Sequence, residues 1–478
     1  MPLTAGEPAI KLRIKPRLAA GSCRTKVRAE RLDRLSADDA RILRLERGTV
    51  RGHTCKVILL EPGEHGSLPS TDALREHVST RLDAAPRLRR CLASTPLHLA
   101  PPAWVDDQEF DIARHVRPVE TRGAVSPPQL DEIVGRLMEE RLDRSHPLWQ
   151  LDVIDELTDG SMALVWRLHH CLADGTTAVR LGSDVLWSEH PDDVVPASPN
   201  WSPDACPGSA GLLARGLRDR ARQAAQRVPR RGRRPQDQAT SVLRSRAAIR
   251  RELARTASRS PLDRRIGSTR SIAFQRAPLD DCRRAGKAIH DAVTVNDVVL
   301  AIVAGAVREW IAHRHGHDEV VRVKVPVSLH DKAGGDREAN RDSYFFVDLP
   351  VGEPDPVKRV LAINRETTER KVDRDAEALY RLGLHRPVAH WAMSPRVFTF
   401  NVSNVRGPAQ PVYVLGARVR EMYSLVEVAQ RHALRVAVVS ACGSIHFGLC
   451  ADRDAVPDVA VLADGLERST AELLECAH

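Results

Sequence analysis

Residues 162–186 constrain the fold more tightly than any other stretch of the chain. Met162-Ala163-Leu164-Val165-Trp166-Arg167-Leu168-His169 is a short apolar run bounded upstream by Asp159-Gly160, and it reads as a β-strand. Strand side chains alternate, so Leu164, Trp166, Leu168 and His170 share one face, read as the buried one. Val165, Arg167 and His169 share the other. After a turn, Ala178, Leu181, Gly182, Val185 and Leu186 recur at the spacing of an amphipathic helix. Asp174 or Thr176 stands where a helix cap belongs. The stretch is thus a strand–turn–helix junction, and turns held by rigid elements often carry catalysis.

That turn reads His169-His170-Cys171-Leu172-Ala173-Asp174-Gly175, or HHxxxDG. The four fixed positions recur by chance in on the order of one chain in 340, so the motif takes its weight from its surroundings. The chemistry suits the residue types. An imidazole titrates near neutral pH and can accept a proton from a hydroxyl. His170 is read as that base. His169 is read as structural, Asp174 as the residue that orients the turn, and Cys171 as a small buried filler. Gly175 is read as permitting a backbone conformation closed to other residues.

At 478 residues the chain exceeds what one core supports, so two domains with additions are expected. Nine cysteines are scattered without a CxxC pair, which fits neither a zinc site nor a disulfide framework and suits a reducing cytoplasm. No spacing such as HExxH points to a metal. The longest apolar run, Val298 to Val307, is ten residues, against roughly 20 needed for a membrane span. The charge is concentrated. Residues 211–270 carry 18 Arg and four acids, a net of +14, whereas the whole chain is +9 and the remainder therefore −5. This segment, with Val228-Pro229-Arg230-Arg231-Gly232-Arg233-Arg234-Pro235 at its centre, is read as an interdomain linker or a surface for anionic lipid. No aromatic residues interleave the arginines, so nucleic acid is a poor fit. Residues 1–31 are read as a basic, disordered extension.

Further blocks follow in order. They are Leu35-Ser36-Ala37-Asp38-Asp39-Ala40 through His53 and Leu59-Leu60-Glu61-Pro62, then Trp104-Val105-Asp106, Phe110-Asp111 and His115-Val116-Arg117, then Pro147-Leu148-Trp149. The second half adds Thr294-Val295-Asn296-Asp297-Val298-Val299, Val325-Pro326-Val327-Ser328-Leu329, Asn340 with Leu349-Pro350, Val402-Ser403-Asn404-Val405, and Asp452-Arg453-Asp454-Ala455-Val456-Pro457-Asp458. With the histidine motif, this series resembles the bacterial wax ester synthase/diacylglycerol acyltransferase family from about residue 32 to 475. The resemblance implies two chloramphenicol-acetyltransferase-like α/β domains, each a mixed sheet flanked by helices, with the active-site channel between them. On this reading residues 32–195 form the first domain, 196–265 the Arg-rich linker and 266–478 the second domain.

The resemblance further implies transfer of a long-chain acyl group from acyl-CoA to diacylglycerol or a fatty alcohol. His170 would be the general base, with no acyl-enzyme and no cofactor beyond acyl-CoA as co-substrate. Trp149 is read as either a channel or a core residue. Asn296, Ser403 and Asn404 are candidates for substrate or oxyanion contact. Asn296 or Asp297 is alternatively the cap of a helix whose apolar face is Val298, Ala301, Ile302, Gly305 and Ala306. The protein is expected in the cytoplasm, peripherally on membrane or lipid inclusions. Four positions depart from the family pattern: Asp263 for an Asn, Arg406 for a Pro, Arg435 for a neutral polar residue and Ala441 for an aromatic. They leave open another hydroxyl acceptor, or a catalytically weak scaffold on a lipid surface.

Overall fold

The computed structural model describes residues 32–63, 67–193, 201–227, 260–314, 320–328, 342–373 and 393–476. The basic extension 1–31, the centre of the Arg-rich segment (228–259), Leu329 and Asn340 lie outside the described residues. The strands are β1 (His53–Glu61), β2 (Arg90–Ala93), β3 (Ala103–Asp106), β4 (Val116–Pro118), β5 (Trp149–Ile154), β6 (Met162–His169), β7 (Arg270–Pro278), β8 (Val321–Ser328), β9 (Asp342–Leu349), β10 (Phe400–Arg406), β11 (Tyr413–Val414), β12 (Ala417–Val426), β13 (Leu434–Ala441) and β14 (Ser444–Asp452). The helices of the first half are α1 (Ala37–Leu45), α2 (Thr71–Arg81), α3 (Ile112–His115), α4 (Pro127–Glu139), α5 (Gly175–Val185) and α6 (Ser209–Arg227).

Two six-stranded mixed sheets carry the architecture, in the orders β11-β12-β1-β6-β5-β4 and β7-β14-β13-β10-β8-β9. The first is antiparallel except where β4 meets β5. In the second, β10 lies parallel to both β13 and β8. The first sheet is completed from the second half of the chain. β12 pairs along β1, with Lys56 opposite Ser424 and Val57 opposite Tyr423. Without it β1 would present an unpaired edge. The two halves are thus joined through a hydrogen-bonded ladder as well as through side chains.

Strand β6 is buried on both faces, where the alternation argument marked only one. Leu164, Trp166 and Leu168 pack against α2 and α5. Ala163 and Val165 pack against α4 and the second sheet in a core that continues through Ile272 and Phe447. Arg167 lies on this second face. Its guanidinium is covered, with a 2.8 Å ion pair to Asp152 and a 2.6 Å hydrogen bond to the Leu137 carbonyl. A charge is tolerated there because it is fully partnered.

The second sheet is covered on one side by helices Val295–Arg314, Pro356–Asp373 and Val459–Glu475. The helix Val295–Arg314 is buried on nearly every side, so its apolar residues extend well beyond the single face read from the sequence. Its cap is Thr294, rather than Asn296 or Asp297. Asp297 reaches back to the Thr294 backbone N–H (2.9 Å) and hydroxyl (2.8 Å), in the manner of a capping box. The Asp297 carboxylate also accepts from Asn364 at 3.0 Å and Thr367 at 2.6 Å.

Polar ties cross the junction. The wholly buried Arg270 binds Glu427 at 2.7 Å and the Thr49 carbonyl at 2.6 Å, while its backbone N–H reaches Glu139 at 2.8 Å. Helix α6, at the start of the basic segment, docks on the first half through an Arg34–Asp219 ion pair of 2.8 Å. Among the described residues no helix is long and apolar enough to cross a membrane.

Candidate active site

The histidine turn stands where the two sheets meet. Strand β6 ends at His169, opposite His53 of β1, and the His170 N–H donates to the Gly52 carbonyl at 2.8 Å. The chain then folds back, with the Leu172 N–H donating to the His169 carbonyl at 2.8 Å. Asp174 is the N-cap of α5, accepting from the Thr177 N–H at 2.6 Å. This resolves the choice between Asp174 and Thr176, and Asp174 does orient the turn. Gly175 acts differently from its reading. It is the first residue of α5, and its φ is not in the left-handed region. What demands glycine is proximity: a Cβ there would lie 2.8 Å from Cγ2 of Val405 on β10. The motif's glycine lets the helix start approach the second sheet.

The two histidines have separate surroundings. His169 is 1% exposed. Its Nδ1 accepts from the Cys171 N–H at 3.1 Å, so Nε2 carries the proton and donates to Glu46 at 3.3 Å. Glu46 is also held by Arg141 at 3.3 Å and by Arg144. Burial would raise the Glu46 pKa, but the bonds from His169 and Arg144 outweigh it and hold the carboxyl below its ordinary value. Gly52 makes room for this arrangement. Its φ is +76°, and a Cβ would fall 2.9 Å from His169 Nε2.

His170 is partly buried beyond the end of the strand. Burial lowers its pKa and the Arg435 charge acts in the same direction, against a backbone hydrogen bond and the Asp174 carboxylate. The imidazole is therefore neutral at pH 7, the form that can accept a proton. Cys171 is buried with its thiol pushed up by desolvation, consistent with filler and poor for a nucleophile.

The other sequence candidates divide. Trp149 is 2% exposed, donates its indole N–H to the Leu88 carbonyl at 2.7 Å and stacks on His115 at 4.6 Å. Of its two readings, the structure carries the core one. Asn296 and Asn404 come together, with 3.5 Å between the Asn404 Nδ2 and the Asn296 Oδ1. Ser403 alternates to the opposite side of β10, the side from which Val405 meets Gly175. Among the departures, Arg406 is exposed, and Ala441 is buried where the two halves pack. Asp263 accepts from the Ser260 N–H at 2.9 Å, with its carboxyl pushed up to about 7 by burial.

Several residues of the site were missed in the sequence. Glu46, Gly52, Arg141 and Arg144 position the histidine turn. Their one local signal is the pair of arginines just ahead of Pro147-Leu148-Trp149. Lys56 was also missed, although a lysine amid the apolar run of β1 marks itself. It is buried, donates to Ser424, and burial pulls its pKa to about 8 against the nearby Asp174 carboxylate.

Residues 35–299 match the model of the wax ester synthase/diacylglycerol acyltransferase catalytic domain, and residues 339–474 that of the family's C-terminal domain. A Mycobacterium tuberculosis protein named as a diacylglycerol O-acyltransferase is 30% identical over 483 residues, covering 93% of this chain and 91% of its own length. A second from that organism is 29% identical over 473 residues, covering 93% and 98%. Among solved structures, the wax ester synthase/diacylglycerol acyltransferase of Marinobacter aquaeolei superposes with a TM-score of 0.68 at 24% identity, covering 93% of this chain and all of that one. A starter condensation domain of rhizomide synthetase superposes at 0.56 with 14% identity, covering 96% and 97%. These two share the fold. On the two family models and the mycobacterial relatives, the chain belongs to the wax ester synthase/diacylglycerol acyltransferase family of acyltransferase enzymes.

Proposed function

We propose that the enzyme moves a long-chain acyl group from acyl-CoA to the hydroxyl of a diacylglycerol, giving triacylglycerol, or of a fatty alcohol, giving a wax ester. The observation that carries this reading is His170: a neutral imidazole on a turn fixed from both sides, at the junction of the two sheets. His170 takes the hydroxyl proton as the oxygen attacks the thioester carbonyl. The tetrahedral intermediate collapses, the carbon–sulfur bond breaks, and the CoA thiolate leaves with a proton from the imidazolium or from water. No acyl-enzyme forms and no cofactor enters beyond acyl-CoA as co-substrate. Asn296, Ser403 and Asn404 are the candidate donors to the oxyanion. Ser403 lies on the face of β10 from which Val405 meets Gly175, whereas Asn296 and Asn404 meet on the other face.

Peripheral contact with membrane or lipid inclusions through the Arg-rich segment is part of the proposal. It is supported by the exposed Leu97 and Leu217, the latter on α6 among arginines. Flotation with anionic vesicles checks it, and failure to float argues for a linker alone. The catalytic test is thiol release from palmitoyl-CoA with 1-hexadecanol and dioleoylglycerol offered separately, beside His170→Ala. Release that depends on the alcohol and vanishes in the variant is expected. Acceptor-dependent release that persists in the variant removes His170 from the mechanism.

A further inference from the structure

Arg435 is a partly buried charge that feels the Glu427 carboxylate without pairing with it. Its Nε is enclosed and lacks a hydrogen-bond partner, and no ion pair to it occurs among the described residues. Buried polar groups in native proteins are nearly always satisfied, and a guanidinium left alone is costly. Alternation along β13 puts Arg435 on the side of Ala437, Val439 and Ala441, and the last two pack against the first half. Arg435 therefore points toward the junction that holds the histidine turn, and its charge is felt at His170. The nearby Glu427 commits one oxygen to Arg270 at 2.7 Å, and its other oxygen is enclosed without a partner among the described residues. Directly beside Arg435, on the parallel neighbour β10, stands Asn401. It is 5% exposed, and its Oδ1 also has no partner. Arg435 Nε and Asn401 Oδ1, adjacent on the face of the second sheet turned toward the first half, are enclosed atoms that no described residue serves and that a ligand can serve.

The ligand must enter with the substrates and bring oxygen atoms near the reacting hydroxyl. A simple fatty alcohol has one oxygen, which is committed to His170, and it would leave Arg435 Nε and Asn401 Oδ1 unserved. A diacylglycerol carries ester carbonyls a few bonds from its hydroxyl. One can accept from the guanidinium. The Asn401 amide, turned about its last torsion, offers N–H to the other.

We propose that Arg435 and Asn401 form an acceptor subsite that reads the ester carbonyls of an acylglycerol, selecting it over a plain long-chain alcohol. This rests on the acyl-transfer reading above and adds the choice between its two acceptors. A site built to hydrogen-bond its substrate discriminates strongly against an analogue lacking the partner atoms.

The test uses palmitoyl-CoA thiol release by the full chain. For the wild type, kcat/KM is measured with dioleoylglycerol, with its dioleyl ether analogue, which keeps the hydroxyl but lacks the carbonyls, and with 1-hexadecanol. The ester is expected to exceed the ether by about tenfold or more, the scale of a hydrogen bond to a charged group. Arg435→Met is expected to lower the ester reaction about tenfold more than the hexadecanol reaction. Arg435→Gln, which keeps a donor, should fall between. Equal use of ester and ether by the wild type overturns the subsite without needing any variant to fold. So does proportional loss of both acceptors in the variants. Absence of release with every acceptor instead overturns the acyl-transfer reading, and the subsite with it.

Discussion

Two polar networks flank the histidine turn, and they are built on opposite rules. Behind His169 the groups that hold it are answered: Glu46 receives His169, Arg141 and Arg144, and the imidazole's second nitrogen takes a backbone N–H. Across the junction, Arg435 and Asn401 have enclosed atoms that no described residue serves. A closed network fixes geometry, because each group is held in one place by several others. An open one is a cost in the empty enzyme that a substrate can remove. The two adjacent histidines divide the work: Glu46 and the Cys171 N–H hold His169, and His170 carries the proposed proton transfer.

The comparison breaks most decisively at the histidines themselves. His170→Ala should lower acceptor-dependent thiol release by about 10²–10⁴-fold, the range for loss of a general base. Its unfolding midpoint in urea should stay close to that of the wild type. His169→Ala should do the reverse in emphasis, with a clear loss of stability. If the two variants lose rate equally and stability equally, the division of labour fails. The pH profile sharpens the point. Because the His170 pKa lies below 6.5, the neutral form prevails above it. The kcat/KM profile should therefore climb on its acid limb below pH 6.5 and be flat from there to pH 8. A limb centred above 7 would assign the proton transfer to another group.

The closed network should register on stability next. Glu46→Gln keeps the size of the side chain but removes its charge from two arginines and His169. It should cost about 1–3 kcal/mol, the scale for hydrogen bonds to charged groups. Arg141 and Arg144 are nearly half exposed and can turn to water, which keeps the loss toward the lower end. Gly175→Ala should cost a similar amount, about 1–3 kcal/mol, by pressing a methyl into Val405. Val405→Ala combined with it should recover part of the loss. A double variant no better than the single one would show that the approach of α5 to β10 is not what selects glycine.

How far the sequence was legible follows from the range of each interaction. Strand 162–169, helix 175–185 and the Asp174 cap depend on neighbours within a few residues, and all were readable. Gly175 was recognised as required, but its cause is a side chain 230 positions away, which no local pattern shows. Glu46 meets His169 across 123 residues, and Lys56 meets Ser424 across 368. The strand that β12 contributes to the first sheet is hidden for the same reason. Arg435 was visible as a departure from its family, but that no described residue serves its Nε shows only in the packed structure.

The smallest effect concerns the second half's own closed network, and it bears on the oxyanion candidates. Thr294→Ala removes the hydroxyl of the capping box, while Asp297 keeps Asn364 and Thr367. The cost should be about 1 kcal/mol, typical of a lost N-cap. Asn296 lies two residues on, in the first turn of that helix, facing Asn404. If Asn296 donates to the oxyanion, loosening the cap should lower kcat by a few-fold in step with the small stability loss. Asn296→Ala would then lower it far more, on the order of 10²-fold or greater as for a lost oxyanion donor. If Asn296 merely braces Asn404, both substitutions should leave kcat within about twofold. Measured side by side with one acceptor, the two variants separate a donor from a brace, because only a donor makes the rate more sensitive than the fold.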